Sequence, residues 1–338
     1  MKLTRRQLLT VLTAGSAAAV ASCTLEPAPP QPAPSATTPR PQPPDLSRPD
    51  RAARRSPLSA EASRWQPAPG EVFPEIKRTA AAFLETAGNW SDGGTAVGNL
   101  VRAGAPASVA PTASVLHPST ARAGELTVIY PQYGGLAPDT AAVIALVEQN
   151  LHTVSGPWSR ELVVDVRLAR RPGGSWTVER LVAPTSLGPP LALTDTAAAV
   201  LAEPRIILPG PARGDVSTGR IDHRLLAILH ALSREFTLAI QVMHTGHVQT
   251  VYPTARVSNH AVGRAVDIRE IDGRPVVATR PGDERVLRLM RRAAELGATE
   301  VGGPVDLNGL RKGFFSDDVH HDHIHLGVTP GDPPAHLR

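Results

Sequence analysis

The sequence predicts an α+β protein with two folded domains, and three observations carry that reading. Apolar residues recur at helical spacing in separated stretches: Ile76, Ala80, Phe83 and Leu84; Leu225, Leu226, Leu229 and Leu232; Val286, Leu287, Met290 and Ala294. Between these stretches lie runs with strand alternation, such as Leu162, Val164, Val166 and Leu168. Two turn signals, Pro172-Gly-Gly174 and Asp272-Gly273, join extended runs as hairpins do. A length of 338 residues accommodates two domains with cores of their own.

Residues 1–23 read as an export signal. Thr4-Arg-Arg-Gln-Leu-Leu9 resembles a twin-arginine signal and precedes an apolar run that is short for a membrane span. The run ends Val20-Ala-Ser-Cys23, similar to the bacterial lipobox, in which the cysteine is lipidated and becomes the new N-terminus. Cys23 is the one cysteine of the chain, so no intramolecular disulfide forms and a metal site must rely on histidine and carboxylate. Residues 24–69 hold a large share of the 34 prolines, which oppose helix and sheet and favour extended polyproline II. At ~3.1 Å per residue the densest part spans roughly 70 Å, suited to a tether.

Residues 70–187 are expected to form a small α+β accessory domain. Pro74–Ala87 is its first helix and Leu126–Tyr130 a strand. Asp139–Gln149 opens on an acidic cap and carries Val143, Ile144 and Val147, which predicts a second helix. The strand Leu162–Leu168 turns at Pro172-Gly-Gly174 and returns through Trp176 and Val178. A helix followed by a curved hairpin with a Gly-Gly-x-Trp return resembles the cone-shaped nuclear-transport-factor-like fold. Asp165 and Arg167 read as a solvated face. No cluster of reactive residues stands out, so the domain reads as a spacer or ligand-binding accessory.

Residues 188–330 carry the chemistry, with 331–338 as a tail. Asp222 caps the helix of Leu225–Leu232, whose His223 and His230 read as surface residues. Phe236–Met243 is an apolar strand, followed by His244 and His247. Then comes Ser258-Asn-His-Ala-Val-Gly-Arg-Ala-Val-Asp-Ile268, which places His260 and Asp267 in the pattern H-x6-D. Asp267 belongs on a strand, with Val266 and Ile268 turned to the opposite face and His260 in a loop beside Gly263. Asp283 caps a further helix, stopped by Gly297. Near the C-terminus His320-His-Asp-His-Ile-His-Leu-Gly327 contains H-x-H. Alternation puts His321, His323 and His325 on one face and Ile324 and Leu326 on the other. Two imidazoles, one carboxylate and an open fourth position form a common catalytic zinc shell. If His325 binds a metal, His323 projects into the same cleft as a general base or an electrophilic group.

S-x-H-x-x-G-x-A-x-D followed by a late H-x-H resembles the zinc peptidases of the lysostaphin and D-Ala-D-Ala metallopeptidase group. It is most similar to the D-Ala-D-Ala carboxypeptidases and the penicillin-insensitive murein endopeptidases, over roughly residues 190–330. The resemblance implies the α+β fold of the D-Ala-D-Ala peptidases, with His260, Asp267 and His325 as zinc ligands. It implies His323 as the neighbouring catalytic histidine, as in the endopeptidase branch. The carboxypeptidase branch has Glu-x-x-His with glutamate as base; here Asp322 takes that place and is the alternative. Carboxypeptidases also hold substrate through an upstream Gly-Tyr-Arg-like segment. The corresponding Thr245-Gly-His247 lacks the arginine, which argues against a preference for a free C-terminal carboxylate; His247, just upstream of the metal motif, is a candidate substrate-positioning residue, with an ordinary loop position as the alternative. The implied protein is a lipid-anchored zinc peptidase on the outer face of a bacterial membrane, acting on peptidoglycan stem or cross-link peptides. A catalytically silent zinc-containing wall-binding or interaction module is the rival. The net charge of +4 comes with no basic stripe interleaved with aromatics, which are 4% of residues, and this argues against nucleic-acid binding.

Overall fold

The chain divides into two units, Met1–Pro57 and Leu58–Arg338. The computed structural model describes residues 65–91, 94–106, 109, 112, 114–280, 282–309 and 311–337, all in the second unit. The segment expected to be an export signal, Cys23 and most of the proline-rich segment lie outside the described residues.

The predicted helical stripe after Pro74 forms α1 (Pro74–Gly88), which buries Ile76, Ala80, Phe83 and Leu84. A short helix α2 (Ala96–Arg102) follows, its N-terminus capped by the Thr95 side chain. Four antiparallel strands then pair in chain order: β1 (Ala121–Leu136), β2 (Thr140–Thr153), β3 (Gly156–Arg170) and β4 (Trp176–Val182). The helix expected over Asp139–Gln149 is therefore a strand. Ala141 to Val147 is buried on both faces, because β2 lies under α1 on one side and a second sheet on the other. A continuous apolar run of this kind satisfies helical and strand templates alike, and its β-branched content favours the strand. Asp165 is likewise not on a solvated face. It is 2% exposed, bound to the Arg167 guanidinium at 2.6 and 2.7 Å, and burial pushes its carboxyl up despite that partner.

The second half contains α3 (Asp195–Ala202), β5 (Ile206–Ile207), α4 (Gly210–Ser217), α5 (His223–Leu232) and β6 (Leu238–Val242). After a 3-10 turn at His260–Val262 come β7 (Ala265–Ile271), β8 (Arg274–Pro275), α6 (Glu284–Glu295), β9 (Glu300–Gly302), β10 (Phe314–Phe315) and β11 (Ile324–Gly327). These strands form a mixed sheet in the order β10-β9-β11-β7-β6-β5, with β8 hairpinned onto β7. The hairpin turns at Asp272 and Gly273, both at positive φ (52° and 75°), as a two-residue turn between twisted strands requires. Asp222 and Asp283 cap α5 and α6 through their side chains, as predicted.

One face of this sheet packs Leu238, Ile240, Val266, Ile268, Ile324 and Leu326 against α3, α5 and α6. The other face meets the first sheet. Val242 and Val248 pack with Ala142, Ile144, Leu146 and Val163, and Gln241 donates to the carbonyls of Tyr130 and Ile144 at 3.0 Å each. The two sheets are thus joined by a shared core, and His325 and Asp267 lie on the face toward that joint. Among the described residues no helix is long and apolar enough to cross a membrane.

Candidate metal centre

Strand pairing creates the centre. Asp267 sits in the middle of β7, opposite Val242 on β6 and opposite His325 on β11. Because Val266 and Ile268 face the helical core, Asp267 must face away, and the same alternation turns His325 beside it. His260 arrives from the 3-10 turn, which Gly263 closes at φ 70°.

Three donor atoms converge. His260 Nε2 lies 3.1 Å from Asp267 Oδ1, His325 Nδ1 lies 3.0 Å from the same oxygen, and the two nitrogens are 3.2 Å apart. Ligands ~2.0–2.1 Å from a tetrahedral ion stand about 3.3 Å from one another, so the triangle has the size of one ion's coordination face.

The outer edge of each group fixes its inner edge. His260 Nδ1 faces the Met243 carbonyl, which can only accept, so Nδ1 carries the proton and Nε2 presents a lone pair. His325 Nε2 lies 3.4 Å from Glu300 Oε2, which likewise directs the Nδ1 lone pair inward. Asp267 Oδ2 accepts from Gln132 Nε2 at 2.6 Å, leaving Oδ1 for the centre. At this spacing the three atoms can share either a proton carried by His325 Nδ1 or a cation held among them. Buried His and Asp groups here can hold a metal ion: the donor atoms of His247, His260 and Asp267 all lie within 4.8 Å of one another, and His325 Nδ1 adds a further donor beside the last two.

The titration pattern has the same origin. Burial works against ionisation of Asp267, but the charges of His260 and His323 hold its carboxyl well below the usual range. Burial also opposes the charged ring of His325, yet its hydrogen bonds to Asp267 and Glu300 push it up to about 9. Glu300, despite burial, is held down to about 2 by His325.

His323 stands beside the triangle, its Nε2 3.7 Å from Asp267 Oδ1. Its Nδ1 donates to Asp322 Oδ1 at 2.6 Å. Asp322, the alternative base, is wholly buried and committed elsewhere. Its Oδ2 receives Lys77 Nζ at 2.5 Å and the Tyr130 hydroxyl at 3.1 Å. Burial opposes its ionisation, but Lys77 and His323 hold its carboxyl far below the usual range. His321 leaves the face expected of it: β11 begins only at Ile324, and His321 turns toward Glu71, 3.6 Å from its carboxylate. Glu71, His321 and Asp322 also have ligand-like spacing, but the Lys77 ammonium already bridges the two carboxylates as their cation.

Comparison with protein-family models, with curated proteins and with solved structures finds no match to this chain. The site therefore rests on its own geometry.

His247 is drawn into the cluster. Its ring stacks on His260 at 3.7 Å between centroids and 16° between planes, and its Nε2 is 3.6 Å from Asp267 Oδ2. Burial, then the neighbouring His260, lower its pKa well below the ordinary value. Gly246 lets this loop press against β3, where a Cβ would collide with the Val163 carbonyl. Asp215 on α4 anchors the same loop, accepting from the backbone N–H of His244 and of Thr245 at 2.9 Å each.

Sequence reasoning missed Gln132, Lys77, Tyr130, Asp215 and Glu300. Residues 70–187, which by sequence carry no cluster of reactive residues, supply three of these five: Gln132, Lys77 and Tyr130. Lys77 offered a faint signal, a lysine amid the buried face of an amphipathic helix. Gln132, in a run of small and aromatic residues, offered none.

Proposed function

We propose that the chain is a zinc-dependent peptidase of the bacterial cell envelope, built on a D-Ala-D-Ala-peptidase-like domain and acting on peptidoglycan stem or cross-link peptides. The observation that carries the reading is the Asp322–His323 pair beside the donor triangle. A purely structural metal has no use for a third imidazole aimed at its site and backed by a buried carboxylate.

Bound zinc would supply Lewis-acid polarisation of the scissile carbonyl and acidify water. The residues of the chain divide the remaining work. His260, Asp267 and His325 hold the ion. Asp322 keeps the His323 proton on Nδ1, so Nε2 is free to take a proton on the side facing the triangle. Its protonated form then returns that proton to the leaving amine. His247 narrows the site from the His260 side. The lipobox-like segment and proline-rich stretch fit a chain anchored through Cys23 and held off the membrane.

Burial favours a second reading. His260, Asp267 and His323 are each 1% exposed, and His247 stands close enough to close the shell as a fourth protein ligand. Structural zinc sites are closed in this way. The zinc would then stabilise a wall-binding or interaction module. The stacked ring argues against it, because planes lying parallel do not converge two nitrogens on one ion. Digestion of purified peptidoglycan by the zinc-loaded chain, with fragments identified by mass, decides the matter. New peptide termini that disappear with chelator support the peptidase; an intact wall with zinc bound supports the module.

A further inference from the structure

The N-terminal half of the described chain reaches the centre through Gln132, Lys77 and Tyr130, and the first two are wholly buried. Gln132 on β1 is 0% exposed and donates to Asp267 Oδ2. Lys77 on α1 is also 0% exposed, between Glu71 and Asp322, with the Tyr130 hydroxyl at 3.0 Å. Its ammonium lies 4.8 Å from the ring centres of both Tyr130 and Tyr133, which wall it in. Burying an amide and an ammonium is costly unless each is paired. A domain serving only as a spacer needs neither.

We propose that Gln132 and Lys77 are positioning residues of the metal centre, so that the N-terminal domain completes it within a single chain. Gln132 acts on the ligand set. An aspartate with both oxygens free can swing to bind through either or both. The amide pins Oδ2, and only Oδ1 is left at the vertex shared with His260 Nε2 and His325 Nδ1. The orientation of the amide is dictated by chemistry, since its oxygen cannot face a carboxylate. Lys77 acts on the other histidine. With Tyr130 it occupies Asp322 Oδ2, which leaves Oδ1 to receive His323 Nδ1. The His323 tautomer is thereby set from a helix more than two hundred residues away in sequence. The Gln132 part requires only that the triangle binds a metal; the catalytic part of the Lys77 claim rests on the peptidase reading.

The test uses the full chain. Zinc affinity is measured by competition with a chelator on metal-free wild type, Gln132→Met and Gln132→Asn, alongside the melting temperature of each metal-free protein. Methionine keeps the length without the donor, and asparagine keeps the donor but falls one methylene short. Both are expected to bind zinc 10–100-fold more weakly, the usual loss for an outer partner of a metal ligand. Unchanged zinc affinity in a folded variant, with only the melting temperature lowered, reduces Gln132 to packing and overturns its half of the proposal.

Lys77 is tested as the pair Lys77→Met with Glu71→Gln, which keeps the net charge of the cluster. Zinc affinity should stay at the wild-type value. The ring-nitrogen chemical shifts of His323 should change from one Nδ1-protonated tautomer to a mixture, and kcat on wall peptides should fall 10–100-fold at unchanged KM. Unaltered His323 shifts overturn the Lys77 half whether or not the wild type cleaves peptide. A wild type without hydrolysis removes the peptidase reading and leaves the zinc and tautomer results to decide the positioning roles.

Discussion

His323 and His325 lie two residues apart but sit differently, His325 Nδ1 at 3.0 Å and His323 Nε2 at 3.7 Å from Asp267 Oδ1, so on the proposed function their removal should fail in different ways. His323→Ala takes away a ring that bonds Asp322 and only faces Asp267. Asp322 keeps Lys77 and Tyr130, so no buried charge is stranded, and the triangle of His260, Asp267 and His325 is untouched. Zinc content should stay near one per chain. Hydrolysis should fall by ~10²–10⁴, the range for losing a general acid–base group. At about 1.36 kcal/mol per decade this is ~2.7–5.5 kcal/mol of transition-state stabilisation. His325→Ala removes one vertex of the triangle, so zinc and hydrolysis should be lost together. Glu300 retains Asn259 at 2.9 Å, so the variant should still fold. Both quantities are measured on one preparation of each variant, by elemental analysis and by mass spectrometry of wall digests. If His323→Ala loses zinc while His325→Ala keeps it, the ligand assignment is wrong. If His323→Ala keeps zinc and full activity while Asp322→Asn is dead, the carboxylate is the base.

Three further outcomes are expected. Ile144→Ala hollows the core shared by the two sheets and should cost ~2–5 kcal/mol in chemical denaturation; the two halves should still unfold in one transition, and two separated transitions would contradict the interlock. Asp222→Ala should cost about 1 kcal/mol near neutrality, as loss of a helix cap does. Burial opposes ionisation of Asp222, but Arg224 outweighs it and holds the folded pKa below the unfolded value of ~3.9. The stabilisation is therefore present above about pH 4 and lost as pH falls through the folded value, so wild type and Asp222→Ala should converge in acid. Cys23→Ser should release the chain from the membrane fraction; identical partitioning of wild type and variant refutes lipid anchoring.

The sequence disclosed the centre better than its surroundings, for physical reasons. H-x6-D and H-x-H concentrate ligand chemistry within short spans. Strand alternation then decides which way Asp267 and His325 face, and the Asp272-Gly273 turn fixes the strand that carries Asp267. Helix caps at Asp222 and Asp283 are equally local and equally legible. What lay hidden depends on contacts between distant segments. β2 looked helical because burial on both faces erases the two-residue period. Alternation puts His321 on the face of His323 and His325, but β11 starts only at Ile324, so the period does not extend back to it. Gln132 and Lys77 acquire their roles only when the two sheets stack, and nothing in their local sequence reports which residue they will meet across that joint.

Zinc-edge anomalous diffraction from crystals of the metal-loaded chain tests the central claim most directly. The account predicts one peak, ~2.0–2.2 Å from His260 Nε2, Asp267 Oδ1 and His325 Nδ1, with His247 and His323 outside bonding distance. A peak bound by His247, His260 and Asp267 with His325 excluded, or a loaded crystal with no peak among these side chains, would contradict it.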